Sequence, residues 1–306
     1  MPRGRRARPA GDRRLLLVVT VVVIVVLALL SRLPRSRLPA PHPGTAQVHH
    51  SRSALPVTHS HPARDSQEVA RPPQAAPPPP RPAGPVVAIV IDDVGYREAD
   101  LEPFLALGCP LTFAVLPALP LSAALADRCR EAGNTVILHL PMEPLGEQQP
   151  GPGAVTTAME DEAIARVVAA DLASVPGAVG ISNHMGSRAT ADARVMAAVM
   201  AVAAKRGLFF VDSLTGPGST VREQAAQQAV PALARDVFLD PAGAEAEVVA
   251  EQVDKLARVA RRRGWALGIG HVHPETARGL AAALPKLEQQ GITIVPMQEL
   301  LGGRAD

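Results

Sequence analysis

The chain has 306 residues, room for one large domain or two modest ones, and its 31 basic and 29 acidic side chains leave a formal charge of only +2. That balance conceals two unlike pieces: residues 1–85 carry 13 basic and 3 acidic groups, whereas residues 86–306 carry 18 and 26. The acidic piece excludes nucleic acid as a partner, because phosphate contacts need a basic surface.

In chain order, residues 1–14 form a basic tail with Arg3, Arg5, Arg6, Arg8, Arg13 and Arg14, followed at 15–30 by the uncharged run LLLVVTVVVIVVLALL. Such a run, with more arginines before it than after, predicts a transmembrane signal anchor over residues 15–31 with its N-terminus in the cytoplasm. The remainder is then expected on the periplasmic, extracytoplasmic side of a single-pass inner (cytoplasmic) membrane protein, the basic end lying beside anionic headgroups. Residues 32–85 read as a disordered linker: they hold 14 prolines and show no apolar periodicity. Five of the nine histidines, His42, His49, His50, His59 and His61, fall in it and read as part of a solvated spacer.

From residue 86 the pattern changes. Short β-branched or apolar runs predict strands at 86–91, 111–115, 135–139, 178–182, 208–211, 236–239, 265–269 and 292–295, the sixth having the weakest pattern. Helical patterns fall between them at 122–132, 160–174, 192–206, 244–263 and 274–290, several opening on Asp, Glu or Pro and closing before Gly. Alternation of this kind implies parallel strands. The expected class is α/β: an incomplete or distorted (β/α) barrel of seven to eight parallel strands over residues 86–306, with an open doubly wound sheet as the alternative. No glycine-rich phosphate loop follows the first strand, which argues against dinucleotide binding. Cys109 and Cys129 read either as a disulfide or as two buried thiols.

The domain's four histidines all lie at the ends of strand runs: His139 after TVIL, His184 after AVGIS, and His271 with His273 after ALGIG. VVAIVI ends in Asp92 and Asp93, which point in different directions if the pleat persists. Polar residues at the carboxyl ends of parallel strands converge on one face, which adds Asn183, Asp212, Ser213 and Asp240. One carboxylate with two imidazoles makes an open metal site, and a second carboxylate beside it can accept a proton. An Asp after a strand also caps helices and sets turns, so Asp212 and Ser213 keep both readings, whereas Asp240 before Pro241 reads first as a turn residue and Glu275 as a helix-start acid.

VVAIVIDDVGY and PLTFAVLP, followed by the HLPMEP, NHMGS, VDSLT and IGHVHPET segments, together resemble the divergent polysaccharide deacetylase family, a distant branch of the family 4 (NodB-type) carbohydrate esterases. The similarity spans residues 86 to about 300. It implies an incomplete β/α barrel, a divalent metal (zinc above others), Asp92 as general base and Asp93 as metal ligand. His139 matches the first histidine of a His-x-x-x-His motif whose second position is Glu143 here. His184, where typical members carry an arginine–proline motif, is the expected third ligand, with Glu143 as an oxygen alternative. Asn183 and Asp212 are further candidates for the metal or for support of its ligands. His271 matches the late histidine that serves as general acid, and His273 is its close rival. Tyr96, four residues after Asp92, is the one aromatic side chain placed to meet a sugar ring.

The implied function is a membrane-anchored, metal-dependent hydrolase that removes N- or O-acetyl groups from an envelope glycan or peptidoglycan-like substrate. The alternative is a noncatalytic envelope carbohydrate-binding or scaffold protein that retains the deacetylase fold, with Glu143 marking lost activity. Intact Asp92 and late histidines favour the enzyme.

Overall fold

The structure, a computed structural model, describes residues 84–302. The strands in chain order are β1 (Val86–Val94), β2 (Thr112–Val115), β3 (Thr135–Met142), β4 (Gly180–Met185), β5 (Phe209–Asp212), β6 (Ala232–Ala234), β7 (Val237–Phe238), β8 (Trp265–His271) and β9 (Thr293–Ile294). Between them run α1 (Glu98–Leu105), α2 (Ser122–Glu131), α3 (Asp161–Ser174), α4 (Ala193–Arg206), α5 (Val221–Gln227), α6 (Ala246–Arg263) and α7 (Pro274–Gln289), and α8 (Met297–Gly302) closes the described chain.

All the ladders are parallel, in the order β6-β5-β4-β3-β2-β1-β8-β7, with β9 pairing β1 off this path. The two edge strands, β6 and β7, are separated in sequence only by Arg235 and Asp236. At that junction consecutive amides diverge: Arg235 N–H donates to Asp212 O of β5 at 3.0 Å, and Asp236 N–H donates to Leu267 O of β8 at 2.9 Å. The edges are thus joined by the chain itself rather than by a ladder, and the sheet is an incomplete barrel with a seam. The expected strand at 236–239 is therefore only the second part of a broken strand. Its first part, ALA at 232–234, is too short and too weakly β-forming to announce itself. The sheet has nine strands, eight of them on that path, and the one beyond the eight expected runs is β6.

Alternation along the strands separates two apolar layers. Val87, Ile89 and Ile91 of β1 join the layer that packs against the helices, whereas Ala88 and Val90 join the interior cluster with Ile137, Val211, Leu233, Leu267 and Ile269. Extending that inward parity by two residues reaches Asp92, His139, Ser213, Arg235 and His271. On β4 the outward residue is Ile181, so Ser182 and His184 share the inward face. The same alternation that builds the core thus delivers the polar side chains to one mouth.

Local chemistry sets the helix ends. Asp192 caps α4 by accepting from Arg194 N and Val195 N at 3.0 and 3.1 Å, and Gly207 ends it in a left-handed conformation (φ 66°). Pro274 opens α7. Gly186, after β4, has φ 87°, and a Cβ there would meet Met142 Cβ at 2.8 Å.

Several expectations are corrected. No helix of the described residues is long and apolar enough to cross a membrane. The longest, α6, has 18 residues but is amphipathic and ends in Arg261, Arg262 and Arg263. The expected anchor at 15–31 and the linker at 32–85 lie outside the described residues. Single-pass topology, periplasmic placement and the membrane as a partner have no support among the described residues. Cys109 and Cys129 are both free, and burial pushes the Cys129 thiol up to about 12.

Candidate active site

At the end of β1 the pleat does not persist. The β1–β2 register shifts between Ile91 and Val94, and Asp93 adopts φ 65°. A left-handed aspartate in a bulge turns the second carboxylate into the mouth that parity already gives to Asp92. Met185 (φ 53°) and Leu214 (φ 49°) carry the same unusual conformation at the ends of β4 and β5. Three of the five non-glycine residues with positive φ among the described residues thus line one cavity, Ala118 and Ala229 lying away from it. That cavity has a volume of about 580 Å³, and its lining includes Asp92, Asp93, His139, Asn183, His184 and His271.

Three donors converge in it. Asp93 Oδ1 lies 3.2 Å from His139 Nε2 and 2.9 Å from His184 Nδ1, and one ligand atom from each residue falls within 4.8 Å of the others. Despite those distances Asp93 Oδ1 has no hydrogen-bond geometry with either ring. Ligand atoms this close together, with the carboxylate oxygen unpartnered, fit a cation between them. His139 is turned for this by its cross-strand partner: Ser182 lies opposite it in the β3–β4 ladder, and Ser182 Oγ sits 2.8 Å from His139 Nδ1.

Asp92 and His271 face each other in the parallel β1–β8 register. Asp92 is buried, with Ser213 Oγ 3.5 Å from Oδ2 and no partner on Oδ1. Desolvation raises its pKa against the pull of His139 and His271. His271 is held by Asp240, whose carboxylate accepts from the His271 backbone N–H at 2.6 Å and meets Nδ1 at 3.1 Å, while Thr276 Oγ1 donates to it at 2.6 Å. Burial alone would lower the His271 pKa, but the Asp240 bond and charge, with Asp92 and Asp93 behind them, raise it to about 9. Asp240 is therefore the carboxylate partner of an imidazolium as well as a turn residue.

The other sequence candidates separate. Glu143 stands outside the three-donor cluster: its Oε2 accepts from Thr157 N and Oγ1 at 2.6 and 2.7 Å, and Arg188 Nε approaches its other oxygen at 3.3 Å. Its geometry ties two loops together. Asn183 braces the ends of β4 and β5, accepting from Ser213 N at 2.9 Å and donating to Met185 O at 2.8 Å. Asp212 accepts from Leu214 N and Ser219 Oγ at 2.9 and 2.6 Å, holding the turn that carries Leu214. His273 is exposed at the N-cap of α7, its ring stacked 5.8 Å from that of His271. Tyr96 is 64% exposed and does not line the cavity. Sequence reasoning missed Ser182 and Arg235. The available signal was parity, since Ser182 lies two residues before His184 and Arg235 two after the buried Leu233.

Residues 89–301 match the family described as divergent polysaccharide deacetylase. The chain is 38% identical over 216 residues to the uncharacterized protein YibQ of Escherichia coli (strain K12), an alignment covering 70% of this chain and 67% of that protein. It is 34% identical over 214 residues to an uncharacterized protein of Haemophilus influenzae, covering 70% and 76% respectively. Among solved structures, that of an uncharacterized protein of Agrobacterium tumefaciens C58 aligns with a TM-score of 0.66 at 24% identity, covering 71% of this chain and 89% of that one, and so shares the fold. The family match and the Asp93–His139–His184 cluster support a metal-dependent hydrolase of amide or ester bonds. By the extent of both the family match and the relatives' identity, the chain belongs to the divergent polysaccharide deacetylase family.

Proposed function

We propose that the cavity removes an acetyl or similar acyl group from the nitrogen or oxygen of a carbohydrate, with a glycan or peptidoglycan-like substrate and a divalent metal held by Asp93, His139 and His184. The observation that carries this reading is the Asp93 oxygen set 2.9 and 3.2 Å from two imidazole nitrogens without hydrogen-bonding either. Two imidazoles, one carboxylate and room for a further ligand suit zinc best. When bound, such an ion acts as a Lewis acid and lowers the pKa of water.

The chain's own groups supply the proton traffic. Water adds its oxygen to the acyl carbon while Asp92, through its unpartnered Oδ1, accepts the released proton. The bond from that carbon to the sugar nitrogen or oxygen then breaks, and the leaving atom takes a proton from the His271 imidazolium. Asp240 holds Nδ1, so the proton given up is the one on Nε2. Ser213 and Asn183 keep the end of β5 fixed beneath Asp92.

The test is metal content of the purified full chain, with acetate release from acetylated glycan fragments by the wild type and by Asp92→Asn. One tightly bound divalent ion and a loss of about 10²- to 10⁴-fold in Asp92→Asn with the metal retained are expected. A protein that purifies without tight metal, and gains no activity when metal is added, sinks the reading.

A further inference from the structure

The seam places one cation in the cavity wall that the proposed chemistry does not use. Arg235 is the residue at which the amides diverge, and its half-buried side chain lines the same cavity as Asp92 and His271. Its guanidinium is fixed at three points: Nε donates to Ser213 O at 2.9 Å, Nη2 donates to Leu214 O at 3.3 Å, and the Phe238 ring lies 4.7 Å from Cζ. Among the described residues it forms no ion pair, and Nη1 makes no hydrogen bond. Burial works against its charge, and Asp92, Asp212 and Asp240 offset that only from a distance.

A half-buried arginine normally finds a carboxylate or phosphate, because its planar fork is matched to two anionic oxygens and costs free energy to desolvate unpaired. Here both contacts at Nε and Nη2 go to neutral carbonyls, which orient the group and neutralise nothing. The end of the fork formed by Nη1 and the second Nη2 hydrogen is left for something that enters the cavity. Asp93, His139 and His184 come from β1, β3 and β4, whereas the seam lies between β5 and β8. An anion held by Arg235 therefore occupies a different part of the wall from the acyl group.

We propose that Arg235 binds an anionic substituent of the sugar, a carboxylate or a phosphate, and so restricts the site to acidic glycans. This rests on the carbohydrate-hydrolase reading for its substrate but not for its readout, which is equilibrium binding. The probes are one ring in three forms: N-acetyl-D-glucosamine, its uronic acid with a carboxylate at C6, and its 6-phosphate. Calorimetric titration of the full-length, metal-loaded protein is expected to show at least one anionic form binding about 10-fold or more tighter than the neutral sugar. The arm that gains tells carboxylate from phosphate.

In Arg235→Met the ratio of anionic to neutral affinity should fall to about 1, the neutral sugar serving as the reference for what the lost bonds to Ser213 O and Leu214 O cost the cavity as a whole. Arg235→Lys keeps the charge without the fork and should retain part of the preference. It also carries the test if the Met variant fails to fold. The proposal is overturned if neither anionic sugar gains over the neutral one, or if no anionic sugar binds. It is equally overturned if the preference survives in both variants, or if neutral and anionic affinities fall together. Anion preference that depends on Arg235, in a metal-loaded protein releasing no acyl group from acetylated glycan fragments, sinks the hydrolase reading and leaves this one standing.

Discussion

The two sides of the cavity hold the same side chain in opposite ways. On the β3–β4 side His139 meets a neutral hydroxyl at Nδ1, and its other nitrogen turns with His184 toward Asp93. On the β7–β8 side His271 meets the buried carboxylate of Asp240, with its own backbone N–H tied to that group. In this cavity the neutral partner belongs to the imidazole of the three-donor cluster, and the buried carboxylate to the imidazole whose pKa is raised. The contrast teaches that two histidines at equivalent strand ends are set apart by what meets the far nitrogen.

Breaking the ligand side outright should have the largest effect. Asp93→Ala or His184→Ala is expected to lose tight metal and about three orders of magnitude of kcat/KM, measured by metal analysis alongside acyl release. Ser182→Ala leaves all three donors in place but frees the His139 ring. Its metal affinity should weaken by about 10- to 100-fold in a chelator competition, with the alkaline limb of the pH profile unmoved.

On the acid side the wild type should lose activity as pH rises through about 9, where His271 deprotonates; Asp240, Asp92, Asp93 and the neighbouring His273 ring surround it. Asp240→Asn should return His271 toward its ordinary value of about 6.5 and cost about 10-fold at pH 8 with metal content unchanged. The linked stability has a definite sign. Because the folded pKa is raised, the stabilisation is fully present below about pH 6.5 and lost as pH rises through about 9, so Tm of the wild type should decline across that window more than that of Asp240→Asn. The smallest effect belongs to Glu143→Gln, which should leave metal affinity within about 2-fold, since Glu143 bonds Thr157 and Arg188 outside the cluster. A large loss of metal there would overturn the ligand set.

Much of the fold was legible because strand and helix patterns are local. The runs before Asp92, His139 and His271 are short and apolar, and α3, α4, α6 and α7 begin and end within two residues of their predicted ranges. The convergence of Asp93, His139 and His184 could be anticipated from imidazoles and acids at strand ends, since parallel strands gather such residues whatever the intervening sequence. What was not legible depends on partners distant in sequence. Ser182 owes its role to lying opposite His139, 43 residues away. Asp240 owes its role to His271, 31 residues away. Glu143 sits four residues after His139 in a motif that suggests a ligand, yet the loop from β3 carries it to Thr157. Asp93 needed a bulge rather than a pleat, and one residue of irregular backbone leaves no periodicity to read.

The seam has a consequence for motion. The two strands that meet at the seam are short and paired on one side only, β6 offering three residues to β5 and β7 two to β8. Cooperative opening begins where the fewest backbone bonds must part. Amides around 232–238 should therefore exchange with solvent before those of β1 or β3, and each such opening would swing aside the wall that carries Arg235 and Phe238. A bound anion bridging that wall to the rest of the cavity would slow the same amides, making the barrel's weakest join the part whose order reports whether the site is filled.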